Sequence, residues 1–427
     1  MCCLPDPDKP PDTKFKKSAP LILGAVCRTW RRIVWATPRL WNVIFFDLWF
    51  KGCDTIARKE ILAEWLLRSG RRPLHITIGT NQVVPDESAE ALLPFIDVLN
   101  VYADRWRTLK VYTAFSSILE RLRGGGIPLD GCGLSELDLE MHDEEMWPFV
   151  INLTPVTSRL CKLRICGVYL NSLEVNYQFL THLTAEFIDE DDCVEIMRRA
   201  PLLIVCEFRG IQEPYDENAP QCVVICHNLQ KLVIEDGGTK QLVSFFGRIQ
   251  LPKLEELTIN TNDAHWYMEA KLDLAAFFDL SPCPLQSLTL GSIESDFQDV
   301  RKMLRKVPTL KRLSLCARQW TNMAVRDALY ALAGRFRPTN LDGHPEPTDL
   351  LVPQLESLRC SGNPETFSWD VLPKIFGLNA GNHGHSDIQA SLRNVDLILS
   401  PRRDCCHGPQ HPPSLPASAP RRGQDRD

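Results

Sequence analysis

The sequence carries none of the short motifs that assign a chain to a common enzyme class. It has no GxSxG nucleophile elbow, no Walker A loop, no HExxH zinc motif and no GxGxxG string after a predicted strand. We therefore expect a protein that is not an enzyme, with no catalytic residues and no cofactor. The remaining catalytic alternative is a hydrolase or transferase whose site is assembled from distant residues, which a deep pocket with converging histidine and carboxylate side chains would reveal.

Long apolar runs and an excess of one charge are also lacking. No apolar stretch reaches the ~18 residues that span a bilayer, and residues 1–17 are too polar for a secretory leader. Forty-eight Lys and Arg residues oppose 54 Asp and Glu, a net charge of −6, which gives no general attraction to nucleic acid or to a membrane surface. We expect a cytoplasmic or nuclear protein with neither as a partner.

Sixteen cysteines are present without the spacing of a zinc site. Cys2-Cys3 and Cys405-Cys406 are adjacent pairs, and Cys222 with Cys226 has no second pair at zinc spacing. Inside a cell most of these residues should be reduced thiols, and we expect no metal site. Four cysteines lie in or beside predicted strands and should behave as small buried apolar residues: Cys166, Cys206, Cys316 and Cys360.

Two further sets of residues suggest a ligand site but have a simpler explanation. Gly124, Gly125 and Gly126 are followed by Ile-Pro rather than by a helix start, so we interpret them as a turn. His383 and His385 stand near Asp387 in a Gly- and Asn-rich stretch, with no further metal ligand close in sequence. A solvated loop is the favoured interpretation of that stretch.

The middle of the chain repeats a six-residue pattern, apolar-x-x-apolar-x-apolar. The last two apolar positions are two residues apart and share one face of a short strand, while the first covers the end of the core. Eight copies are clear: Leu134/Leu137/Leu139, Leu160/Leu163/Ile165, Leu229/Leu232/Ile234, Leu254/Leu257/Ile259, Leu285/Leu288/Leu290, Leu310/Leu313/Leu315, Leu355/Leu358/Cys360 and Leu392/Val395/Leu397. Weaker copies are Trp106/Leu109/Val111, Leu180/Leu183/Ala185 and Leu202/Val205, and the alternating run Pro73–Ile78 predicts an opening strand.

Helical patterns separate these predicted strands. Two apolar stripes are clear: Phe297, Val300, Leu304 and Val307, and Leu242, Phe245, Phe246 and Ile249. A strand and a helix of this size cannot bury their apolar faces alone, so neighbouring units must stack. The predicted fold class is α/β, an irregular leucine-rich-repeat solenoid. The first leucines of clear copies with no weaker copy between them lie 25 (229 to 254) to 45 (310 to 355) residues apart, with an inserted loop at Gly334–Thr348.

An acidic run at 189–192 precedes a predicted helical segment that contains Val194 and Met197. Carboxylates in the first turn interact favourably with the N-terminus of a helix, and this is the preferred explanation for the run. Contact with a basic partner is the alternative.

Residues 18–50 have a helical pattern ahead of the repeats. Ser18 is a suitable N-cap for one helix. Its apolar face follows spacings of three and four residues: Leu23, Val26, Cys27, Trp30, Ile33 and Val34. Thr37-Pro38 predicts a second helix start with proline at its first position, which returns Leu40 and Trp41 to the first helix.

The string VCRTWRRI, a Thr-Pro turn and then LW stand near the chain start and ahead of the repeats. In this order they resemble the second half of an F-box, as found in a large family of fungal F-box proteins with leucine-rich repeats. The stretch Trp65–Ile78 resembles the linker of that family, so the resemblance covers about residues 4–78 in detail. Seven residues match family positions in the module core or on its Skp1-facing surface: Leu21, Leu23, Val26, Cys27, Trp30, Leu40 and Trp41.

The first F-box helix of that family has the form LPxELLxxIF. Its counterpart here is MCCLPDPD, which matches only the tail of that helix. We expect either an N-terminally truncated F-box or a degenerate module.

The expected organisation has four segments. A polar lead at 1–17 is followed by a helical partial F-box at 18–50, a leucine-rich-repeat solenoid over 51–400 and a disordered tail at 401–427. The resemblance implies a non-enzymatic substrate receptor of a Skp1–cullin–F-box ubiquitin ligase, with a Skp1-like adaptor and an unknown protein substrate as partners. The alternative is a leucine-rich-repeat interaction scaffold that does not bind Skp1.

Overall fold

The computed structural model describes residues 19–47, 55–79, 89–123, 133–141, 149–213, 222–261, 272–291, 297–316, 352–362 and 394–399. The polar lead, the tail after 400, the glycine triplet at 124–126, the loop at 334–348 and the stretch at 383–387 lie outside these residues. Within the described residues no helix is long and apolar enough to cross a membrane.

The chain is a mixed α/β protein built on one large parallel sheet. The strands of the described residues are β1 Val43–Asp47, β2 Leu74–Gly79, β3 Trp106–Thr113, β4 Glu136–Met141, β5 Ile151–Asn152, β6 Lys162–Cys166, β7 Leu173–Glu174, β8 His182–Glu186, β9 Val205–Arg209, β10 Val224–Ile225, β11 Lys231–Glu235, β12 Ile249–Gln250, β13 Glu256–Asn260, β14 Ser287–Gly291, β15 Arg312–Cys316, β16 Ser357–Gly362 and β17 Asn394–Leu399. Thirteen of these strands form the sheet in the order β1-β2-β3-β4-β6-β8-β9-β11-β13-β14-β15-β16-β17. Two small parallel pairs, β5 with β7 and β10 with β12, lie outside it.

Two rows of inward apolar side chains run across the sheet. Leu232 of β11 is in register with Cys206 of β9 and Leu257 of β13, and all three side chains are buried. The next row has the same form two residues later, where Ile234 lies level with Phe208. Side chains that alternate across a strand reach the same face at every second residue, so the matched register gathers one apolar face from all the strands.

The six-residue pattern is confirmed as the source of these rows. The eight clear copies supply β4, β6, β11, β13, β14, β15, β16 and β17. From Leu134 to Leu355, the first leucine of each clear copy is 0% exposed. The weaker copies at Trp106 and Leu180 and the opening strand at Pro73–Ile78 are also confirmed, as β3, β8 and β2.

The weak copy assigned to Leu202/Val205 is wrong by one residue. The inward positions are Leu203, Cys206 and Phe208, whereas Leu202 is exposed in the turn before β9. The cause is the pairing with β8, which aligns Cys206 with Leu183. A one-residue shift reverses the face of every side chain in a strand, so the register of the neighbouring strand decides which apolar residues are buried.

Helices cover the apolar face of the sheet. They are α1 Ala19–Val26, α2 Arg28–Trp35, α3 Thr55–Arg68, α4 Ala89–Asn100, α5 Ser116–Arg121, α6 Glu190–Arg199, α7 Thr239–Gly247, α8 Leu274–Leu280 and α9 Phe297–Lys306. From α3 onward, buried side chains of the helices belong to the same hydrophobic core as the inward strand rows, for example Leu66, Leu242 and Leu304. The opposite face of the sheet carries mostly polar side chains.

The two apolar stripes predicted for helices are largely confirmed. Val300, Leu304 and Val307 are buried on α9 and the turn after it, and Leu242, Phe245 and Phe246 are buried on α7. Ile249 does not belong to the second helix, because α7 ends at Gly247 and Ile249 pairs with Val224 in a short strand.

A series of phenylalanine rings joins strand and helices within the core. Phe208 of β9 contacts Phe245 of α7 at 5.7 Å between ring centroids, and Phe246 contacts Phe277 of α8 at 4.8 Å. Tilted and edge-to-face pairs at these distances add to the apolar burial of each ring. Successive strand–helix units are thereby packed against each other through their helices as well as through the sheet.

The helical prediction for 18–50 is wrong over Val43–Asp47, which form β1. Val43, Ile44, Phe45 and Phe46 are β-branched or aromatic residues that favour strands, and Ile44 is buried level with Ile76 of β2. The sheet therefore begins inside the segment assigned to the F-box-like module.

The acidic run at 189–192 begins α6, and Val194 and Met197 are buried on that helix as predicted. The helix-terminus explanation is incomplete, because Glu190 is only 2% exposed and accepts hydrogen bonds from Arg248 Nη1 at 3.1 Å and from Ser244 Oγ at 2.6 Å. Arg248 also donates to Asp191. Removing one member of such a buried pair would leave an uncompensated charge, so the run fixes α6 against the end of α7.

The cysteine prediction is confirmed where side chains are described. Cys166, Cys206 and Cys360 are buried, and Cys316 is the last residue of β15. Within the described residues no group of three or more His, Cys, Asp or Glu side chains is arranged to hold a metal ion.

The alternation of the sheet predicts unequal losses of stability for substitutions at two adjacent residues. Leu232→Ala should lower the free energy of unfolding by about 2–5 kcal/mol, the usual range for a buried leucine that leaves a cavity. Val233→Ala, on the polar face of the same strand, should cost about 1 kcal/mol or less. Urea unfolding followed by circular dichroism measures both changes, and equal losses would contradict the assigned faces.

Candidate functional site

The N-terminal segment contains two short helices rather than the single helix predicted from spacing. Cys27 separates α1 from α2 with extended backbone angles, φ −161° and ψ 174°. Its Sγ accepts a hydrogen bond from the backbone N–H of Trp30 at 3.5 Å, so Cys27 acts as the N-cap of α2. Arg31 Nε donates to the carbonyl of Gly24 at 2.9 Å and holds the two helices together.

The Thr37-Pro38 turn is confirmed as a second start. Pro38–Leu40 form a short 3-10 helix, although the hydroxyl of Thr37 donates back to the carbonyl of Ile33 instead of capping the new turn. The turn directs Trp41 inward, where it is 2% exposed and its Nε1 donates to the carbonyl of Val34 at 2.8 Å. The sequence prediction that Trp41 returns to the preceding helical segment is correct.

Trp41 also joins the N-terminal helices to the body of the protein. Its ring meets Trp65 of α3 edge-on, with centroids 4.9 Å apart. The guanidinium of Arg68, also on α3, lies 4.4 Å from the ring centroid of Trp35 and 4.9 Å from that of Trp41. These contacts combine apolar burial with cation–π attraction, so α2 has a defined position against α3.

The outward surface of α1 and α2 is apolar. Six large side chains there are between 44% and 62% exposed: Leu21, Ile22, Val26, Trp30, Ile33 and Trp35. Groups of exposed large apolar side chains are typical of protein–protein contacts. We call these six residues the N-terminal apolar surface.

The seven residues carried over from the F-box resemblance divide into surface and interior. Leu21, Val26, Cys27 and Trp30 are exposed, Leu23 and Leu40 are half-buried, and Trp41 is buried. Ile22, Ile33 and Trp35 are exposed as well. The residue spacing places Ile33 on the apolar face of a helix, but it does not show that this face is exposed to solvent. Of that helical stripe, Val34 alone is buried.

The electrostatic character of this surface is basic. Residues 19–46 contain Arg28, Arg31, Arg32 and Arg39 and no aspartate or glutamate. Four guanidinium groups beside exposed apolar side chains suit a partner surface that is apolar and acidic.

A second candidate surface is the face of the sheet on which the described part of the chain places no helix. We call it the open face, and it is formed by the outward residues of β3 to β16. On β4, β6 and β8 these residues form an ion-pair network. Arg164 donates to Asp138 at 3.0 Å, to Glu140 at 2.8 Å and to Glu186 at 3.1 Å, while Tyr112 Oη donates to Asp138 at 2.8 Å.

The same pattern continues on the next strands of the open face. Arg209 of β9 lies 3.0 Å from Glu235, 3.6 Å from Glu186 and 3.7 Å from Glu207. Each arginine is thus shared among three carboxylates, all from neighbouring strands for Arg164 and including Glu207 of its own strand for Arg209. The pairs are partly exposed, so each contributes little to stability on its own, and the network mainly fixes the positions of its charges.

The open face also shifts the titration of buried groups. Burial raises the pKa of the Cys166 thiol to about 12, with the negative charges of Glu186 and Glu140 adding to the shift. Burial and the charge of Asp138 likewise raise the pKa of Tyr112 well above its usual range. Both groups stay neutral at physiological pH, and neither is positioned as a nucleophile.

Cys166 should therefore be unreactive in the native protein. At pH 8 its thiolate is scarce, because the pKa lies near 12, and iodoacetamide should label the exposed Cys27 and Cys222 well before Cys166. Peptide mass spectrometry after timed labelling gives the rates, and labelling of Cys166 should rise in urea. Native labelling of Cys166 as fast as Cys27 would contradict its burial.

Trp41 and Trp30 should respond very differently to truncation. Trp41→Ala removes a buried ring and its hydrogen bond, and should destabilise the N-terminal helices by about 3–5 kcal/mol. Trp30→Ala removes an exposed ring and should cost about 1 kcal/mol or less. Hydrogen exchange over residues 19–46 reports both effects, and equal protection in the two variants would refute the role assigned to Trp41.

No protein-family model matches this sequence, and no curated protein shows significant similarity to it.

Proposed function

We propose that this chain is a non-enzymatic substrate receptor of a Skp1–cullin–F-box ubiquitin ligase. The N-terminal apolar surface would bind a Skp1-like adaptor, and the open face of the sheet would bind a protein substrate. Ubiquitin transfer would be performed by other subunits, in the cytoplasm or nucleus. The single observation that supports this best is the exposure of Leu21, Val26 and Trp30 on helices that Trp41 joins to α3.

We also propose that the sheet and its helices form a leucine-rich-repeat solenoid. Three features support this: the six-residue pattern supplies consecutive strands, their register is matched from strand to strand, and the leading leucine of each clear copy from Leu134 to Leu355 is buried. Such an array offers a long surface of outward side chains, which vary freely because they are outside the core. The identity of the substrate depends on those outward residues.

Separation of the two surfaces supports a receptor over a simple scaffold. α1 and α2 are joined to the body through Trp41, Trp65 and Arg68, and these contacts use none of the outward residues of β4 to β11. An adaptor on the first surface would leave the second surface open to a substrate. A receptor needs both contacts at once, because its partners must be held together during transfer.

The second candidate is a leucine-rich-repeat scaffold that does not bind Skp1. It is favoured by one observation, that the outward charged residues of β4 to β11 form their ion pairs among the strands themselves and do not need α1 or α2. This candidate keeps substrate binding through the open face and removes the adaptor.

Binding of purified Skp1 distinguishes the two candidates. The wild-type chain should retain Skp1 in a pull-down, and Val26→Asp and Trp30→Ala should each weaken retention at least about tenfold, since a central apolar contact contributes about 1–2 kcal/mol or more. Phe179→Ala is the matched control, because Phe179 is 50% exposed far along the chain from these helices.

A fusion that places an LPxELLxxIF helix ahead of residue 1 completes the design. Skp1 binding that appears or tightens with the fusion would support the receptor. Failure to bind Skp1 in both forms, with normal unfolding, would overturn it in favour of the scaffold.

A further inference from the structure

The open face of the sheet is not uniform in charge. On β4, β6, β8, β9 and β11, the middle and last outward positions carry five carboxylates and two guanidinium groups, a net charge of −3. These residues are Asp138, Glu140, Glu186, Glu207, Glu235, Arg164 and Arg209. We call this group the acidic half of the open face.

The first outward positions of the same strands have a different composition. Lys162 and Lys231 lie there with Glu136, while His182 and Val205 add no negative charge. Burial and the charge of Lys162 lower the pKa of His182, so that ring is neutral at pH 7. Negative charge is therefore concentrated toward the carboxyl ends of the strands, as an elongated band across five neighbouring strands.

The two arginines do not neutralise this band. Each is shared among three carboxylates, and Glu186 contacts both Arg164 and Arg209. Exposure differs among the carboxylates: Glu207 and Glu235 are 29% and 36% exposed, whereas Asp138, Glu140 and Glu186 are 10%, 22% and 15% exposed. A cation brought from outside could reach Glu207 and Glu235 without displacing the internal pairs.

An aromatic residue stands at the rim of the band. Phe187 follows Glu186 directly, is 48% exposed and has φ +56°. The equivalent positions after β6 and β9 are Gly167 and Gly210, also with positive φ. A bulky residue rarely adopts a positive φ. The exposed ring of Phe187 lies next to Glu186 in the chain and can contact a guanidinium or ammonium group.

We propose that the acidic half of the open face binds a basic, Lys/Arg-rich segment of a partner protein. The proposal rests on the function proposed above, in which the open face holds the substrate, and it names the chemical class of that substrate. Charge complementarity favours a basic segment, because the net charge of −3 would repel an acidic segment or a nucleic acid. The five strands place the carboxylates in a line, which fits an extended chain with regularly spaced basic side chains.

The test uses a fluorescein-labelled peptide of alternating arginine and alanine, with an alternating glutamate and alanine peptide as the negative probe. Fluorescence anisotropy with the full chain should detect binding of the basic peptide and no binding of the acidic peptide. The affinity for the basic peptide should fall as the salt concentration is raised. Glu186→Gln/Glu235→Gln should weaken binding about tenfold, since each exposed pair is worth up to about a threefold to fivefold change. The glutamine side chains keep the size and most hydrogen bonds of the originals.

The matched control is Glu195→Gln/Glu213→Gln, which removes the same charge away from the open face. Contacts with Arg198 and Arg199 hold the pKa of Glu195 down at about 2, so this control also removes a true negative charge. It should bind the basic peptide as the wild type does. An equal loss in both double variants would show attraction to net charge alone and would overturn the proposal.

A variant that is expected to tighten binding distinguishes an effect of charge from an effect of misfolding. Arg209→Gln makes the acidic half more negative and should tighten binding of the basic peptide about threefold, whereas a damaged fold would weaken it. Weaker or unchanged binding by Arg209→Gln, or comparable binding of the acidic peptide, would overturn the proposal. Skp1 retention by the wild-type chain tests the receptor function separately, because absence of Skp1 binding would contradict that function and leave the basic-peptide result standing.

Discussion

The in-register stacking of inward apolar side chains is the constraint on which the rest of the structure depends. Leu232, Cys206 and Leu257 lie side by side in one row, and Ile234 with Phe208 lies in the next. No single strand and helix buries enough apolar surface to offset the conformational entropy lost on folding. Stability therefore arises between units, and each unit needs its neighbour in one register.

This constraint divides the residues of each strand into two classes. Inward positions must be apolar and of fitting size, because they pack against the helices and the strands beside them. Outward positions are free of that demand, and the structure uses them for a charged network that includes Arg164 and Glu186. Function can change through outward residues while the sheet stays the same, which is why the open face is informative about the proposed substrate and the core is not.

Much of the fold could be predicted from sequence because its signal is local. Three apolar residues within six positions located eight strands, and stripes of three and four located α7 and α9. The failures have non-local causes. Leu203 rather than Leu202 is buried because β8 sets the register of β9, and β1 is a strand because β2 offers a partner to Ile44.

The candidate sites show the same limit more strongly. Spacing identified the apolar residues of α1 and α2, but it could not tell that Trp41 is interior and Trp30 is surface, because Trp65 and Arg68 decide this from α3. The charged pairs were invisible, since Arg164 meets Asp138 across 26 residues and Arg248 meets Glu190 across 58. The contact between Arg164 and Asp138 follows from the register of β4 and β6, which places these two residues level with each other.

The acidic run and the open face illustrate how one residue type takes different roles in one chain. Glu190 is enclosed with Arg248 and Ser244, so its charge is satisfied and serves to fix α6. Glu186, four residues earlier, shares two arginines with four other carboxylates and keeps negative charge near the solvent. Contact with a basic partner is the alternative prediction for the run at 189–192. We propose that role for Glu186 of β8 instead of Glu190, because an enclosed carboxylate with its own arginine has no capacity left for a ligand.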